Sequence, residues 1–445
     1  MVVDYRHAGR ALARLAAPNA ASIAGDQLLG IADTIVIGTL GATSLAAMTG
    51  ATTVFIVFAL ALHGLMQGLG ILGAQAIGAR DNARFGSIVR ASLLVPFIIA
   101  LALAVAFTFA SRPLLRTMIG DLPTLGAGAQ YLTLRCLSLV PMVLSGAAYT
   151  AFGAAGDTRF GMKLLIAINA VHLPLLLILA LGLGTGHPLG ILGAGISSLA
   201  AELFGAAYAV LAAWRRPLYA IFARWEFDVA LSLRSTWLSL PEAIYLFLVV
   251  APDIAIVTLL APLGAETIAA FRVLSLVSDL TWSIPGSLGS AAQTIIGQRF
   301  GAGDIAGAKT FDARARRYGV ICSTLGGAAF AVFAWPISYI CTLNAALASL
   351  AALPLAAHMV LTLPLKGYAM LGIARVRAAG DTRFSMIVGV IASVLVIPGA
   401  WFWIHVMHLG LFAVPAAWIV AWTFWCGATA VRLHRFDWST ARLPA

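Results

Sequence analysis

Apolar residues occur along the chain in long runs, and a short polar stretch separates each run from the next. A helix needs about 20 apolar residues to cross roughly 30 Å of hydrocarbon, and each run reaches that length. The pattern therefore predicts an all-α polytopic membrane protein. The twelve expected transmembrane helices lie at 14–38, 45–74, 88–110, 126–151, 161–184, 190–213, 233–260, 267–294, 317–340, 349–373, 384–406 and 410–431.

The composition indicates that lipid is the surrounding solvent. Hydrophobic residues make up 61% of the 445 positions and charged residues only 10%, whereas soluble domains carry roughly 25% charged residues. Residues 1–10 are polar and lead directly into the first apolar run, so this run is expected to be a retained span and not a cleaved signal peptide. The four cysteines are scattered through apolar segments without metal-ligand spacing, so neither a metal nor a cofactor is predicted.

The net charge of +11 raises the question of nucleic-acid binding, but the distribution of the charge argues against such a partner. Most of the 28 basic residues fall in alternate loops, on the side of the N-terminus. The loops of the other side hold only Arg112 and Arg116, and Arg135, Arg272 and Lys366 fall inside predicted spans. This alternation is typical of the positive-inside rule. It predicts a multi-pass protein of the plasma (inner) membrane with both termini in the cytoplasm.

Three sequence motifs occur twice, in the same order. The motif AAGDTRF stands at 154–160 and again at 378–384, an offset of 224 residues. LGATSLAA at 40–47 matches LGAETIAA at 263–270, and QAIGARD at 75–81 matches QRFGAGD at 298–304, both at an offset of 223. Collinear matches at nearly one offset indicate an internal duplication.

Each copy contains six predicted spans, an even number, so both copies have the same orientation in the membrane. We expect an N-terminal lobe at 1–213 and a C-terminal lobe at 233–445, related by a pseudo-two-fold axis, with a cytoplasmic linker at 214–232. Transporters built from parallel repeats bind substrate between the repeats near the bilayer midplane and alternate its access. An enzyme is not expected, because the chain contains neither an HExxH nor a GxSxG motif.

The repeated motifs also carry a family resemblance. ADTIVIGTLGATSLAA at 32–47, the QAIGARD turn, GAAGDTRF after span 4, IGQRFGAGD at 296–304 and RAAGDTRF after span 10 together resemble the multidrug and toxic compound extrusion (MATE) family. The chain looks more like the proton-coupled DinF-type branch. The resemblance implies a monomeric antiporter that exports small organic cations or amphipathic compounds in exchange for protons. A sodium-coupled exporter and a lipid-linked precursor flippase of the same superfamily are the alternatives.

Ionisable residues inside spans are candidates for ion coupling, because a charge at the bilayer centre costs roughly 2.5–3.5 kcal/mol on insertion scales. Asp33 matches the acidic residue of span 1 to which the resemblance assigns ion coupling. Asp26 lies seven residues earlier and therefore on the same helix face. It is either a second coupling carboxylate, able to share a proton or a cation with Asp33, or an interfacial residue.

Span 5 departs from the family pattern of two asparagines followed by an aspartate. The corresponding residues here are Asn169, His172 and Leu176. An imidazole has an ordinary pKa near 6.5, so His172 could replace the missing acid as a proton carrier. The alternative is a buried histidine with satisfied hydrogen bonds.

The second lobe lacks the acidic ligands of the sodium-coupled branch. Val249 and Lys366 stand where that branch carries Glu and Asp, which favours protons over sodium as the coupling ion. Lys366 could also neutralise Glu242 or Asp253. The residues expected to line the substrate cavity are Gln67, His63, Glu242, Asp253 and Lys366.

Four further intramembrane residues have weaker assignments. Arg272 and Asp279 are seven residues apart in span 8 and could pair with each other. Glu202 in span 6 and His358 in span 10 are additional candidates for the cavity.

Overall fold

A computed structural model describes residues 8–120, 123–184, 186–216, 219–222 and 228–437. These residues form helices and no strand. The helices are α1 (Ala8–Gly38), α2 (Ala42–Gly64), α3 (Gln67–Gly78), α4 (Asn82–Ile119), α5 (Leu125–Ala154), α6 (Thr158–Leu181), α7 (Ile191–Trp214), α8 (Val229–Leu248), α9 (Ala251–Leu260), α10 (Ala265–Thr281), α11 (Ser283–Ala302), α12 (Ile305–Val332), α13 (Ala334–Thr342), α14 (Ala345–Ala378), α15 (Thr382–Trp401) and α16 (Ala413–His434).

Eleven helical segments among the described residues are long and apolar enough to cross a membrane. The pair α12 and α13, bent by 62° at their junction, becomes the twelfth if it counts as one span. The predicted all-helical polytopic fold is therefore confirmed. Some spans consist of two helices each, as where α2 meets α3 and where α8 meets α9, and hydropathy did not predict these breaks.

The described residues fall into two compact units. Ala24–Phe247 forms the N-unit, and the described parts of Met1–Ile23 and Leu248–Ala445 form the C-unit. The N-unit thus includes most of α8, and the C-unit includes the first half of α1. The predicted lobe boundaries at 1–213 and 233–445 stay a prediction. Residues 217–218 and 223–227 of the predicted linker lie outside the described part of the chain.

Small residues on α7 determine how closely the helices of the N-unit approach one another. A Cβ atom at Gly195 would lie 2.9 Å from Leu134 of α5, and one at Gly205 would lie 2.6 Å from Ile168 of α6. Neither position has space for a side chain without a shift of its neighbour. Close helix approach through small residues is typical of membrane proteins, where lipid supplies no hydrophobic driving force between helices. Here it brings the polar side chains of α5, α6 and α7 together.

The duplicated AAGDTRF turns have the same structure in both copies. The side chains of Asp157 and Asp381 each accept a hydrogen bond from the backbone amide three residues later, which caps the helix that follows. Each carboxylate also binds an arginine at the end of a later helix. The Asp157–Arg216 contact is 2.7 Å and the Asp381–Arg432 contact is 2.6 Å. In each copy, the motif therefore connects the start of one helix to the end of a later helix.

The first half of α1 packs into the core of the C-unit. Leu12 and Leu15 are buried in one cluster with Phe300, Phe311 and Leu371 from α11, α12 and α14. Ala8 and Ala11 are buried in the same cluster, and the positions between them are more exposed. A spacing of three residues keeps both alanines on one face of α1. This packing holds the first turns of α1 against α12.

Candidate functional site

Asp33 and His172 contact each other directly. Asp33 lies on α1 and His172 on α6, and a 2.8 Å hydrogen bond joins Asp33 Oδ1 to His172 Nε2. The His172 side chain is 4% exposed and that of Asp33 is 23% exposed, so one partner is buried and the other remains accessible. An imidazole nitrogen can donate or accept depending on its tautomer. The pair can therefore hold a proton in more than one position.

Two more carboxylates share this region with one arginine. Asp26 interacts electrostatically with Arg135 of α5 and with Asp33. Glu202 of α7 interacts with Arg135, Asp26 and His172. We call Asp26, Asp33, Arg135, His172 and Glu202 the acidic cluster. Its three acids outnumber its one permanent base.

Arg135 is the member of the cluster to which the sequence assigned no role. Its guanidinium carbon lies 3.9 Å from the centre of the Phe55 ring, a cation–π contact that holds the group in place. Tyr149 of α5 also interacts electrostatically with Asp26. The signal for Arg135 in the sequence was its position, because a charged residue inside a span marks a functional or structural partner.

Asn169 lies one turn before His172 on the same face of α6. Its Oδ1 atom is buried and has no hydrogen-bond partner among the described residues. Leu176, which stands where the family pattern has an acid, is fully buried. The face of α6 that follows His172 is therefore apolar, and Asn169 and His172 are its polar positions.

Gln67, His63 and Glu242 lie where the second span breaks. His63 is in the last turn of α2 and Gln67 begins α3, so the break separates two residues that the sequence placed on one continuous helix. The backbone amide of Gly68 donates a 2.7 Å hydrogen bond to Ser239 Oγ of α8. Glu242, one turn further along α8, is buried. The break is thus fixed against α8 beside the three predicted cavity residues.

The C-unit contains a different group of charges. Lys366 of α14 is buried and its Nζ atom donates a 3.0 Å hydrogen bond to Ser278 Oγ of α10. Ser278 Oγ also lies 3.3 Å from Nε2 of His358, which is one of the additional candidates from the sequence. The hydroxyl of Ser278 therefore links the only lysine of α14 to the histidine two turns before it.

Three charged residues surround this lysine. Lys366 interacts electrostatically with Asp253 and Asp279, and both carboxylates also interact with Arg272. Arg272 and Asp279 thus influence each other electrostatically, and their direct pairing stays a prediction. We call Asp253, Arg272, Asp279, His358 and Lys366 the mixed-charge cluster. Its two acids are balanced by two bases.

Stacked indole rings cover one side of Lys366. Its Nζ lies 5.8 Å from the centre of the Trp422 ring. Trp422 stacks on Trp425 at 5.1 Å and on Trp418 at 6.3 Å, and Trp282, between α10 and α11, lies 6.2 Å from Trp422. The sequence analysis did not predict this aromatic cluster. Among the described residues, no group of three or more His, Cys, Asp or Glu side chains is arranged to hold a metal ion.

A family model described as MatE matches residues 18–178 and 241–402, well over half of the chain. The chain belongs to the MatE family. One match falls on each copy of the motifs duplicated in this MATE protein, and Asp33, Asn169 and His172 lie within the first.

The curated relatives of this MATE protein are multidrug resistance proteins. NorM of Burkholderia vietnamiensis is 28% identical over 402 residues, which cover 84% of this chain and 82% of that protein. The probable NorM proteins of Aromatoleum aromaticum and Bradyrhizobium diazoefficiens are each 28% identical, over 61% and 70% of this chain. This chain spans 59% and 66% of the length of those two relatives.

Solved MATE structures have the same fold as this chain. A MATE crystal structure in complex with MaD3S superposes with a TM-score of 0.87 over 96% of both chains, at 19% identity. A transporter of the MOP superfamily from Pyrococcus furiosus gives 0.84 over 96% of this chain and 95% of that one, at 18% identity. That protein is described as having a binding pocket of reverse polarity that suggests a different function. The likeness establishes the MATE-like fold.

Proposed function

We propose that this protein is a secondary antiporter that exports small organic cations in exchange for protons, with Asp33 as the proton carrier. The observation on which the proposal rests is the 2.8 Å hydrogen bond between Asp33 and His172, within a cluster of three carboxylates and one arginine. The relatives' names, multidrug resistance proteins, support export of drug-like molecules. Val249 and Lys366 stand where the sodium-coupled branch carries acids, which favours the proton-coupled DinF-type branch.

The pair provides a physical basis for coupling. When the pair holds a single proton, the neutral imidazole of His172 donates its N–H to the Asp33 carboxylate. A second proton on the pair raises the net charge of the cluster by one. Because the acids outnumber the permanent base, the cluster attracts an organic cation more strongly before the second proton binds. Proton and cation therefore weaken each other's binding, and thermodynamic linkage makes this antagonism reciprocal. Alternating access would then convert the competition into exchange.

The mixed-charge cluster supports protons over sodium. Lys366 places its amino group beside Asp253 and Asp279, within the second copy of the duplication. A positively charged lysine there repels a metal ion. It also compensates the negative charge of the two carboxylates that would otherwise attract the ion. The coupling ion is therefore expected at the acidic cluster, where a carboxylate and an imidazole meet.

The direction of transport follows from the orientation that the charge pattern predicts. Basic loops on the cytoplasmic side place both termini inside and the protein in the plasma (inner) membrane. Arg159 and Arg383, in the two duplicated turns, are exposed on the side to which the pattern assigns the cytoplasm. With that orientation, entry of protons down their gradient would drive substrate out of the cell.

The test is drug-dependent proton release from everted membrane vesicles. Respiration acidifies the vesicle interior, and ethidium is then added in sodium-free buffer. We expect the cation to collapse the pH gradient in vesicles with the wild type and not in vesicles with Asp33→Asn. Glu266→Gln is the matched control, because Glu266 is an exposed carboxylate in the first turn of α10. Its vesicles should respond like the wild type.

Two results would contradict the proposal. A response that requires sodium would show that the coupling ion is not the proton. If a folded wild type ignores every organic cation while its function depends on basic cavity residues, the protein is instead a carrier of anionic, lipid-linked precursors. An Asp33→Asn variant that is as active as the control would remove Asp33 from the mechanism.

A further inference from the structure

A cavity of about 690 Å³ lies in the C-unit between the first turns of α1 and the beginning of α12. Three arginines line it, Arg10 from α1 and Arg314 and Arg317 from α12, together with Tyr318 and Ile321. No carboxylate is among the described residues of its wall. None of the residues that line the cavity belongs to the acidic cluster or to the mixed-charge cluster. The proposed proton exchange does not involve them.

The register of α12 explains why the wall is basic. Positions 317 and 318 lie three and four residues after 314, and 321 lies four and three residues after them, so all four positions share one face of the helix. The acid of α12, Asp312, points to another face. There it binds Arg316 at 3.2 Å and Arg375 at 3.3 Å. The carboxylate of Asp312 thus binds two arginines outside the cavity, and the face of α12 that lines the cavity carries Arg314 and Arg317.

The helices α1 and α12 pack closely against each other next to the cavity. A Cβ atom at Gly9 would lie 3.2 Å from the ring of Tyr318, so the glycine lets α1 and α12 come together at the base of the cavity. Directly below, Leu12 and Leu15 of α1 are buried in the same core cluster as Phe311 and Ala315 of α12. The positions of Arg10 and of the two α12 arginines are therefore set by rigid helices.

The chemistry of the wall selects a phosphate group. A guanidinium is planar and presents paired N–H donors that match phosphate oxygens in a bidentate contact. The Tyr318 hydroxyl can add a further hydrogen bond. A volume of about 690 Å³ is ample for a phosphate with the polar group attached to it. Three positive side chains around one opening therefore favour an anionic phosphate ester.

The surface beyond the cavity is apolar and continues the same stripe of α12. Ile321, Leu325 and Val332 are 44%, 65% and 76% exposed, and all lie within a predicted membrane span. Their spacing of four and seven residues keeps them on one side of the helix. In a bilayer these side chains contact acyl chains. A ligand with a phosphate in the cavity and hydrocarbon along this stripe is a phospholipid.

We propose that the cavity of Arg10, Arg314 and Arg317 binds the headgroup of an anionic phospholipid from the cytoplasmic leaflet, with its acyl chains along Ile321, Leu325 and Val332. Basic pockets between transmembrane helices on the cytoplasmic side are suited to such headgroups. The bound lipid ties the start of α1 to α12. The proposal depends on the predicted orientation of the chain and is independent of the transported substrate and of the coupling ion.

The test is native mass spectrometry of the full-length protein in mild detergent, titrated with phosphatidylglycerol or with phosphatidylcholine of the same acyl chains. We expect one phosphatidylglycerol to be retained in preference to phosphatidylcholine. The site variant is Arg10→Gln/Arg314→Gln/Arg317→Gln. It should bind phosphatidylglycerol at least about tenfold more weakly, because each arginine near an anionic lipid contributes. The control variant, Arg80→Gln/Arg159→Gln/Arg383→Gln, removes three exposed arginines of the same predicted side and should match the wild type.

Further measurements separate lipid from free phosphate and folding from binding. Glycerol 3-phosphate and inorganic phosphate are added as soluble competitors, and neither should displace the lipid at equal concentration. The single variant Arg317→Glu changes one exposed side chain and should also lose the preference, which guards against misfolding of the triple variant. Equal loss in the site and control variants, equal retention of phosphatidylcholine, or displacement by glycerol 3-phosphate would each overturn the proposal.

Discussion

The two units of this MATE protein carry charged clusters of opposite character. In the N-unit, Asp26, Asp33 and Glu202 face one arginine and the imidazole of His172. In the C-unit, two carboxylates are balanced by Arg272 and Lys366, and indole rings cover one side of the lysine. Both clusters lie within copies of one duplicated sequence. The helix framework has been kept while the sign of its polar interior has diverged.

This difference indicates a division of labour. A cluster with an excess of carboxylate and a titratable imidazole can change its net charge by one proton, as coupling requires. A cluster whose charges already cancel attracts a further cation less strongly. Its lysine serves mainly to compensate two carboxylates. Variants that exchange or remove these charges can break the comparison.

Removing the lysine of the balanced cluster should cost the most stability. In Lys366→Met, Asp253 and Asp279 lose a base while Ser278 loses its charged donor. Losing a hydrogen bond from a charged donor costs about 1.5–3 kcal/mol, and the exposed Asp279 adds little to this loss. Thermal unfolding in detergent should show this loss. The double variant Lys366→Met/Asp279→Asn should recover part of it, and a single variant as stable as the wild type would show that Lys366 is not a compensating charge.

Neutralising one acid in each cluster should affect exchange unequally. Asp33→Asn is expected to reduce drug-dependent proton release by roughly 5–150-fold, the usual range of a coupling free energy of 1–3 kcal/mol. Asp253→Asn should leave most of the release intact, because the mixed-charge cluster does not carry the coupling proton. Both variants are measured in acid-loaded vesicles at equal protein content. If Asp253→Asn is the more damaging change, the C-unit performs the coupling and the comparison is reversed.

Replacing the two histidines should separate a proton carrier from a structural hydrogen bond. His172→Gln retains a hydrogen-bonding group beside Asp33 but removes the imidazole, which can take up a proton. We expect exchange to persist with a weaker dependence on pH, because glutamine cannot take part in proton transfer. His358→Gln, in the C-unit, can still bond Ser278 and should keep the wild-type pH profile. Identical profiles for all three proteins would exclude His172 from proton transfer.

Features that depend on local length and spacing could be predicted from the sequence. Apolar runs predicted the spans, and the repeated AAGDTRF motif indicated two equivalent positions, where Asp157 and Asp381 each cap a helix through a local partner. Asp33 and His172 were each predicted from the sequence as candidates for ion coupling, because an ionisable side chain inside a span is costly and marks a functional or structural site. The structure joins them at 2.8 Å.

Features that depend on packing between helices could not be predicted. Arg135 reaches Asp26 and Glu202 because Gly195 and Gly205 let α7 approach its neighbours, and no local pattern encodes that approach. The break between α2 and α3 likewise depends on a hydrogen bond from Gly68 to Ser239, far along the chain. A hydropathy profile shows neither of these contacts. At the break between α2 and α3, the segments on both sides are apolar, so the profile shows one continuous run.

The smallest effects are expected where the two halves agree. Asp157→Ala and Asp381→Ala each remove a helix cap worth about 1 kcal/mol and a half-exposed ion pair, with Arg216 or Arg432, worth about 0–1 kcal/mol. Both substitutions should lower thermal stability by the same amount, in contrast to the unequal effects of changes in the clusters. The variants Asp157→Asn and Asp381→Asn keep the cap, since asparagine also accepts from the backbone amide, and should recover most of the loss. A large difference between the two turns would show that the duplicated junctions have diverged in energy although their geometry is the same.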